Sequence, residues 1–295
     1  MSGHLPMFVQ ITASGMTMGL IYAIVAFGFQ IIARGANIFN FAHGEFVAIA
    51  TLIYFSLAGT VGLAPILAVV LTVLAVMLLS VVIERLLLAP VRVREPLIIV
   101  ILTVGIGTLL RGIMILVWGH DVLFAPPLLV GPPFSWAGAS IGRANVVLVV
   151  ACVTVVVALY LTFSRTLWGK KILAAAINPE AARLVGVEEA TTRVSVFLLA
   201  GFMAGIAGAL VAPVTFASSG AGFNFVLKAF AAALLGGLDR FAGPLVGGLI
   251  LGFLEAFTAG YVSSALREPI VLAFVVVALM IRPSGILGGA TERVT

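Results

Sequence analysis

The stretch FVQITASGMTMGLIYAIVAFGFQII, residues 8–32, holds no charged side chain. An α-helix of that length exceeds the roughly 30 Å of hydrocarbon in a bilayer at about 1.5 Å per residue. No Lys or Arg precedes it and no small-residue cleavage pattern follows it. The segment is therefore expected to be a retained helix and not a secretory leader. Working outward from it, further apolar stretches lie at 41–58, 63–89, 97–118, 144–163, 194–213, 225–238, 242–260 and 268–282. The expected fold is an all-α integral membrane protein. It is a polytopic bundle of about eight or nine transmembrane or half-spanning helices, with residues 1–295 forming a single transmembrane domain.

Composition agrees. Of 295 residues, 62% are hydrophobic and 9% are charged, against roughly 25% charged in soluble domains, and mean hydropathy is +1.28. A soluble enzyme, a disordered chain and a collagen-like repeat are all excluded on that basis. The net charge of +5 does not point to nucleic acid, because eight of the sixteen Lys and Arg residues fall within 84–96 and 164–193. Clustering of that kind is the positive-inside bias of membrane proteins, whose surrounding partner is lipid. Cys152 is the lone cysteine, so neither an intrachain disulfide nor a zinc set is available. No phosphate-binding loop, His-Glu-x-x-His or Gly-x-Ser-x-Gly motif is present, so no catalytic residue, metal site or resident cofactor is assigned.

Charge also orients the chain. Residues 84–96 and 164–193 are placed in the cytoplasm. Residues 119–143, with only Asp121, Arg143 and a set of prolines, are placed outside. Counting back puts the N-terminus outside, and nine segments put the C-terminus, with Arg282 and Arg293, inside. The 14-residue segment 225–238 is short for a full crossing. It either enters the membrane without crossing or joins 242–260 as one helix kinked at Gly243-Pro244. Glycines repeat at four-residue spacing (Gly15/Gly19, Gly201/Gly205, Gly243/Gly247, Gly248/Gly252), which permits close helix packing in lipid. Phe39-Asn40-Phe41 and Phe223-Asn224-Phe225 echo each other near opposite faces, the pattern of an inverted repeat.

Charges inside apolar segments cost about 2.5–3.5 kcal/mol each at a helix centre. The candidates are His43, Glu45, Arg111, Lys228 and Glu255, with Asn37 and Asn40 beside them. Two roles fit. As structural keystones, Lys228 pairs with Glu255 or Glu45, and His43 bonds a free carbonyl at a break near Gly35. As pathway residues, His43 and Glu45 line the substrate route. Arg111 is expected to snorkel or pack.

The stretch LWGKKILAAAINPEAARLVGV, residues 167–187, lies between two spans. Asn178 is placed to cap a helix that has Pro179 at its first position, Glu180 in its first turn and Gly186 at its end. Glu180-Ala181-Ala182 followed by Gly186 resembles the EAA-x-x-x-G loop of ABC importer permeases. NIFNFAHGE, residues 37–45, resembles the signature of the branched-chain amino acid permeases, the H-type subunit of the Liv transporter. GLIYAIVAFG (19–28), KAFAAALLGG (228–237) with Pro244 and GGLILG (247–252), and RPSGILG (282–288) extend that resemblance in order along the chain. Residues 238–244, LDRFAGP, depart from it by a more polar turn at Asp239-Arg240.

The resemblance implies one permease subunit of an ABC importer in a bacterial inner membrane, working by alternating access. A second homologous permease would complete the pore. Two ATPase subunits, binding ATP and Mg, would dock on a cytoplasmic coupling loop at 164–193 through Gly169, Asn178, Pro179, Glu180, Ala181, Ala182 and Gly186. An extracytoplasmic binding protein would deliver a branched-chain or other hydrophobic amino acid; urea, amides and aromatic or other carboxylic acids also occur as substrates in the family. The rival reading is a self-sufficient secondary transporter or channel, which would account for intramembrane charge and an inverted repeat but does not need the 169–187 loop.

Overall fold

The computed structural model describes residues 4–91, 95–136 and 139–289; Arg92, Arg94 and Arg293 of the charge argument lie outside them. The elements in order are α1 His4–Gly35, α2 His43–Tyr54, α3 Pro65–Ile83, α4 Pro96–Trp118, β1 Phe134–Trp136, β2 Ala139–Ile141, α5 Arg143–Arg165, α6 Leu167–Ile177, α7 Pro179–Leu184, α8 Glu189–Thr215, α9 Gly222–Gly236, α10 Gly243–Tyr261 and α11 Arg267–Ile281. Each apolar stretch in the sequence is a helix here. Two of them close in π-helical turns, Phe55–Thr60 after α2 and Glu84–Leu88 after α3. The antiparallel hairpin β1–β2 within 119–143 has no counterpart among the expected elements.

α1 and α8 form the buried centre, whereas α4 and α5 leave most of their apolar surface outward, as lipid-facing helices do. Close backbone approach sets the packing. A Cβ on Gly19 would meet Leu249 Cα at 2.9 Å, and one on Gly15 would meet Phe253 Cα at 3.1 Å. α1 and α10 therefore lie antiparallel with almost no side chain between them. α8 does the same on α3: a Cβ on Gly201 would meet Met77 Cα at 2.9 Å, and one on Gly205 would meet Val73 Cα at 2.9 Å. Pairing α1 with α10 and α3 with α8, in opposite directions, is the arrangement an inverted repeat of four helices requires.

The two halves also share a broken crossing. After α1 the chain turns through Asn37 (φ 54°), and after α8 through Phe216 (φ 70°), both in the left-handed region that few non-glycine residues occupy. Non-helical segments 36–42 and 216–221 then lead into α2 and α9. α9 has 15 residues, about 22 Å, so it spans only part of the hydrocarbon. Segment 216–221 completes the crossing, tied to the loop after α4 by paired Leu123–Ala217 backbone hydrogen bonds of 2.9 Å. α9 and α10 are separate helices turned at Gly237 (φ 102°), which corrects the alternative of one helix kinked at Gly243-Pro244.

Among the described residues nine helices make up the bundle, six of them (α1, α3, α4, α5, α8 and α10) long and apolar enough to cross a membrane, with α6 and α7 outside it at one end. That end gathers Arg34, Arg85, Lys170, Lys171, Arg183, Arg193, Arg240 and Arg282. The opposite end carries Asp121 and the hairpin. A Cys at Ser140, in a Cys152→Ser background, is expected to react with an impermeant thiol reagent from outside, and one at Thr191 only from inside; exchanged accessibility would reverse the orientation. Gly252 lies against the backbone of Gly15 and Gly19, while nothing stands within 4 Å of a Cβ on Gly105. In thermal-stability measurements on the purified protein, Gly252→Ala should destabilise by about 1–3 kcal/mol and Gly105→Ala should be neutral.

Candidate functional site

The N-termini of α2 and α9 cross inside the bundle. A Cβ on Gly44 would fall 2.7 Å from Val226 N, and one on Gly222 would overlap the Glu45 carboxylate, so neither position admits a side chain. Glu45 therefore lies in the first turn of its own helix and against the first residue of α9, where two sets of unpaired N–H groups make the field positive. Arg111 on α4 acts on it electrostatically, beside Gly220. Asn40 holds the break before α2: its Oδ1 accepts from Ala42 N–H at 3.0 Å. The Thr103 hydroxyl of α4 accepts from Phe41 N–H at 3.2 Å. His43 is buried against Gly28, with Nε2 3.1 Å from the Val25 carbonyl. That carbonyl belongs to α1, which continues to Gly35, so the partner is a helix next door and not the break itself. Asn40 Nδ2, His43 Nδ1 and Glu45 Oε2 are buried without a hydrogen-bond partner among the described residues.

Lys228 does not reach Glu45, a correction to one of the two pairings considered. Its Nζ donates to Glu255 Oε1 at 2.8 Å, Glu268 Oε1 at 2.9 Å and the Tyr22 hydroxyl at 3.2 Å. The Tyr22 hydroxyl in turn donates to Glu255 Oε2 at 2.6 Å, and Arg267 Nε lies 3.0 Å from Glu255 Oε1. Two cations and two carboxylates from α9, α10 and α11 thus form a neutral quartet closed by an α1 tyrosine. Tyr22, Arg267 and Glu268 were not singled out by sequence. Arg267 and Glu268 sit at a helix start, where charge draws no attention, and Tyr22 is separated from its partners by more than 200 residues.

The other predicted residues gather at the basic end. Asn178 Oδ1 accepts from Ala181 N–H at 3.0 Å and caps α7. Gly186 has φ 81°; its N–H donates to Arg183 O at 3.1 Å while Val187 N–H donates to Ala182 O at 3.0 Å. The two bonds form a Schellman closure, with Val187 and Ala182 buried together. Gly169 lets α6 lie on the end of α5, since a Cβ there would come within 2.7 Å of Phe163 Cα. Glu180 and Asn178 line a cavity of about 410 Å³ that also takes in Asn37, Arg34 and Arg193. Behind it, Arg193 of α8 donates to Glu84 at 3.1 Å, tying the start of α8 to the turn after α3. Leu184 (89% exposed) and Val185 (77%) project from the tip of the loop.

The quartet makes a quantitative prediction. Lys228→Met strips a partner from a buried carboxylate, a change that costs about 3–5 kcal/mol where nothing compensates it. Combining it with Glu255→Gln should lose less folded protein than the two single changes summed, whereas Lys228→Met with Glu45→Gln should be additive. Yield of monodisperse protein by fluorescence-detected size exclusion reads both cycles; coupling in the second and not the first would reverse the assignment.

The family described as branched-chain amino acid transport system / permease component matches residues 11–282. LivH of Escherichia coli strain K12, a high-affinity branched-chain amino acid transport system permease protein, is 29% identical over 304 aligned positions covering 98% of each chain. BraD of Pseudomonas aeruginosa, described in the same words, is 28% identical over 294 positions, 95% of this chain and 96% of its own. The ribose import permease protein RbsC of Escherichia coli strain K12 is 38% identical over 94 positions, 30% of this chain and 29% of its own. No solved structure matches the chain. A multi-pass bundle with the signature residues on its broken helices, matched by this family over nearly its whole length, belongs to the branched-chain amino acid transport system permease components.

Proposed function

We propose that the chain is a transmembrane permease subunit of an ATP-driven importer in a bacterial inner membrane, carrying branched-chain or other hydrophobic amino acids. A second permease of the same kind would complete the pore. Two ATPase subunits, holding ATP and Mg, would sit at the basic end, and a binding protein would deliver substrate at the other. The amino-acid reading rests on relatives named for that substrate along their whole length, whereas the ribose permease shares only a third of the chain.

The observation that carries the ATPase reading is the α6–α7 loop. Thr166 caps the start of α6, the Schellman turn at Gly186 closes α7, the Arg193–Glu84 pair ties the adjoining start of α8 to the turn after α3, and Leu184 and Val185 are left bare. A rigid projection tipped with exposed apolar side chains fits a groove on a partner better than it fits free water. Docked there, it would pass partner motion to α8 and, through α8, to α3 and α1. A self-sufficient transporter has no use for such a projection.

Gly186→Trp places a bulky residue at φ 81°, at about 1–2 kcal/mol for a non-glycine residue. Leu184→Asp removes the apolar tip. Both variants should insert normally yet retain at least about fivefold less ATPase subunit on co-purification and lose ATP-dependent uptake in membrane vesicles. Undiminished uptake by both would overturn the coupling role.

A further inference from the structure

A cavity of about 530 Å³ opens beside the quartet, toward the end opposite the basic one, between α1, the end of α8, α10 and the start of α11. The volume lies within the roughly 300–1,000 Å³ of small-molecule sites. Its polar walls are Gln10 and Ser14 of α1, Thr215 of α8, and the Glu255–Arg267 pair. Gln10 and Ser14 are exposed on α1, within about three turns of its start at His4. With 32 residues, about 48 Å, α1 is longer than the roughly 30 Å of hydrocarbon, so these polar groups lie toward its wetted end and the cavity they line is open to solute. The remaining wall, with Met18, Val214 and Ala259, is apolar.

The pair that closes the cavity is asymmetric. Glu255 is buried and held from behind by Lys228 and Tyr22, independently of Arg267. The Arg267 side chain is 44% exposed and uses its Nε on Glu255. Its Nη2 lies 3.6 Å from Glu268 Oε1, beyond hydrogen-bond distance, so the exposed edge of the guanidinium can turn to a carboxylate without leaving Glu255 unpaired. A ligand carrying both an ammonium and a carboxylate would satisfy the two ends at once. Being neutral overall, it adds no net charge to a neutral quartet.

We propose that this cavity is a transit site for a zwitterionic α-amino acid, Glu255 receiving the ammonium and Arg267 the carboxylate, with an aliphatic side chain against Met18, Val214 and Ala259. The assignment rests on the amino-acid reading above and adds the residues that would recognise such a solute. Glu255 and Arg267 bind by exchange: the ligand takes over the 3.0 Å contact between them while Lys228 keeps Glu255 in place.

The test uses the complete transporter in membrane vesicles, with Ser14→Cys in a Cys152→Ser background. L-leucine should slow reaction of that cysteine with a small thiol reagent, and ribose should not. Arg267→Gln should abolish the protection and lower L-leucine uptake per assembled transporter about tenfold, with Arg267→Lys recovering much of both. Ala259→Phe, which fills the cavity and leaves every charge in place, should lower uptake in the same way. Vesicles that take up L-leucine normally, but show neither protection nor any loss in Arg267→Gln and Ala259→Phe, overturn the site and leave the permease reading standing. Vesicles that take up no branched-chain amino acid before any change at 267 or 259, while moving another solute, overturn the substrate reading and the site with it.

Discussion

Inside hydrocarbon a charge finds no water, so every ion that the fold keeps there must bring its counter-ion with it. The Lys228 ammonium is the centre of that constraint. Three acceptors surround it, supplied by α1, α10 and α11, while Lys228 itself comes from the short helix α9. The contacts fix more than charge. They set the depth of α9 relative to the two helices that follow it, and they hold it against the long central helix α1. The glycine seam between α1 and α10 complements them: where the backbones touch at Gly15, Gly19, Gly248 and Gly252, nothing but contact holds the helices, and the quartet fixes their register along the seam.

The broken crossings follow from the same constraint. Non-helical backbone at membrane depth needs partners, and 36–42 and 216–221 find them in Thr103, in the Asn40 side chain and in the Leu123–Ala217 bridge. The result is two helix starts crossing at Gly44 and Gly222 with Glu45 between them. A positive field and a carboxylate there offset each other, which explains how Glu45 is tolerated without Lys228.

Much of this was legible in sequence because it is local. Runs of apolar residues locate the helices. The spacing of Asn178, Pro179, Glu180 and Gly186 encodes a helix with both caps, and each cap is formed as the spacing implies. What was not legible is long-range. Choosing between Glu45 and Glu255 as the partner of Lys228 requires knowing that α9 folds back on α10 before it meets α2, and no local period carries that. The same holds for Gly44 and Gly222, whose need to be glycine appears only when α2 and α9 cross. Arg267 looks like an ordinary flanking charge until Glu255 is placed next to it. The split of 167–187 into α6 and α7 is a milder case, visible afterwards in Asn178, which ends one helix and begins the other.

The segment after α11 has a consequence for biosynthesis. Ile286 N–H donates to Leu235 O at 2.7 Å and Leu287 N–H to Gly236 O at 3.2 Å, so the last carbonyls of α9 are satisfied by residues made some fifty positions later. At about 5–20 residues per second, a ribosome leaves that helix end open for several seconds, while α10 and α11 are still being threaded into the bilayer. Until the strap arrives, the half-built bundle carries unpaired backbone at its basic end. A chain arrested in that interval therefore displays a mark of incompleteness to chaperones and membrane proteases, which the finished protein covers.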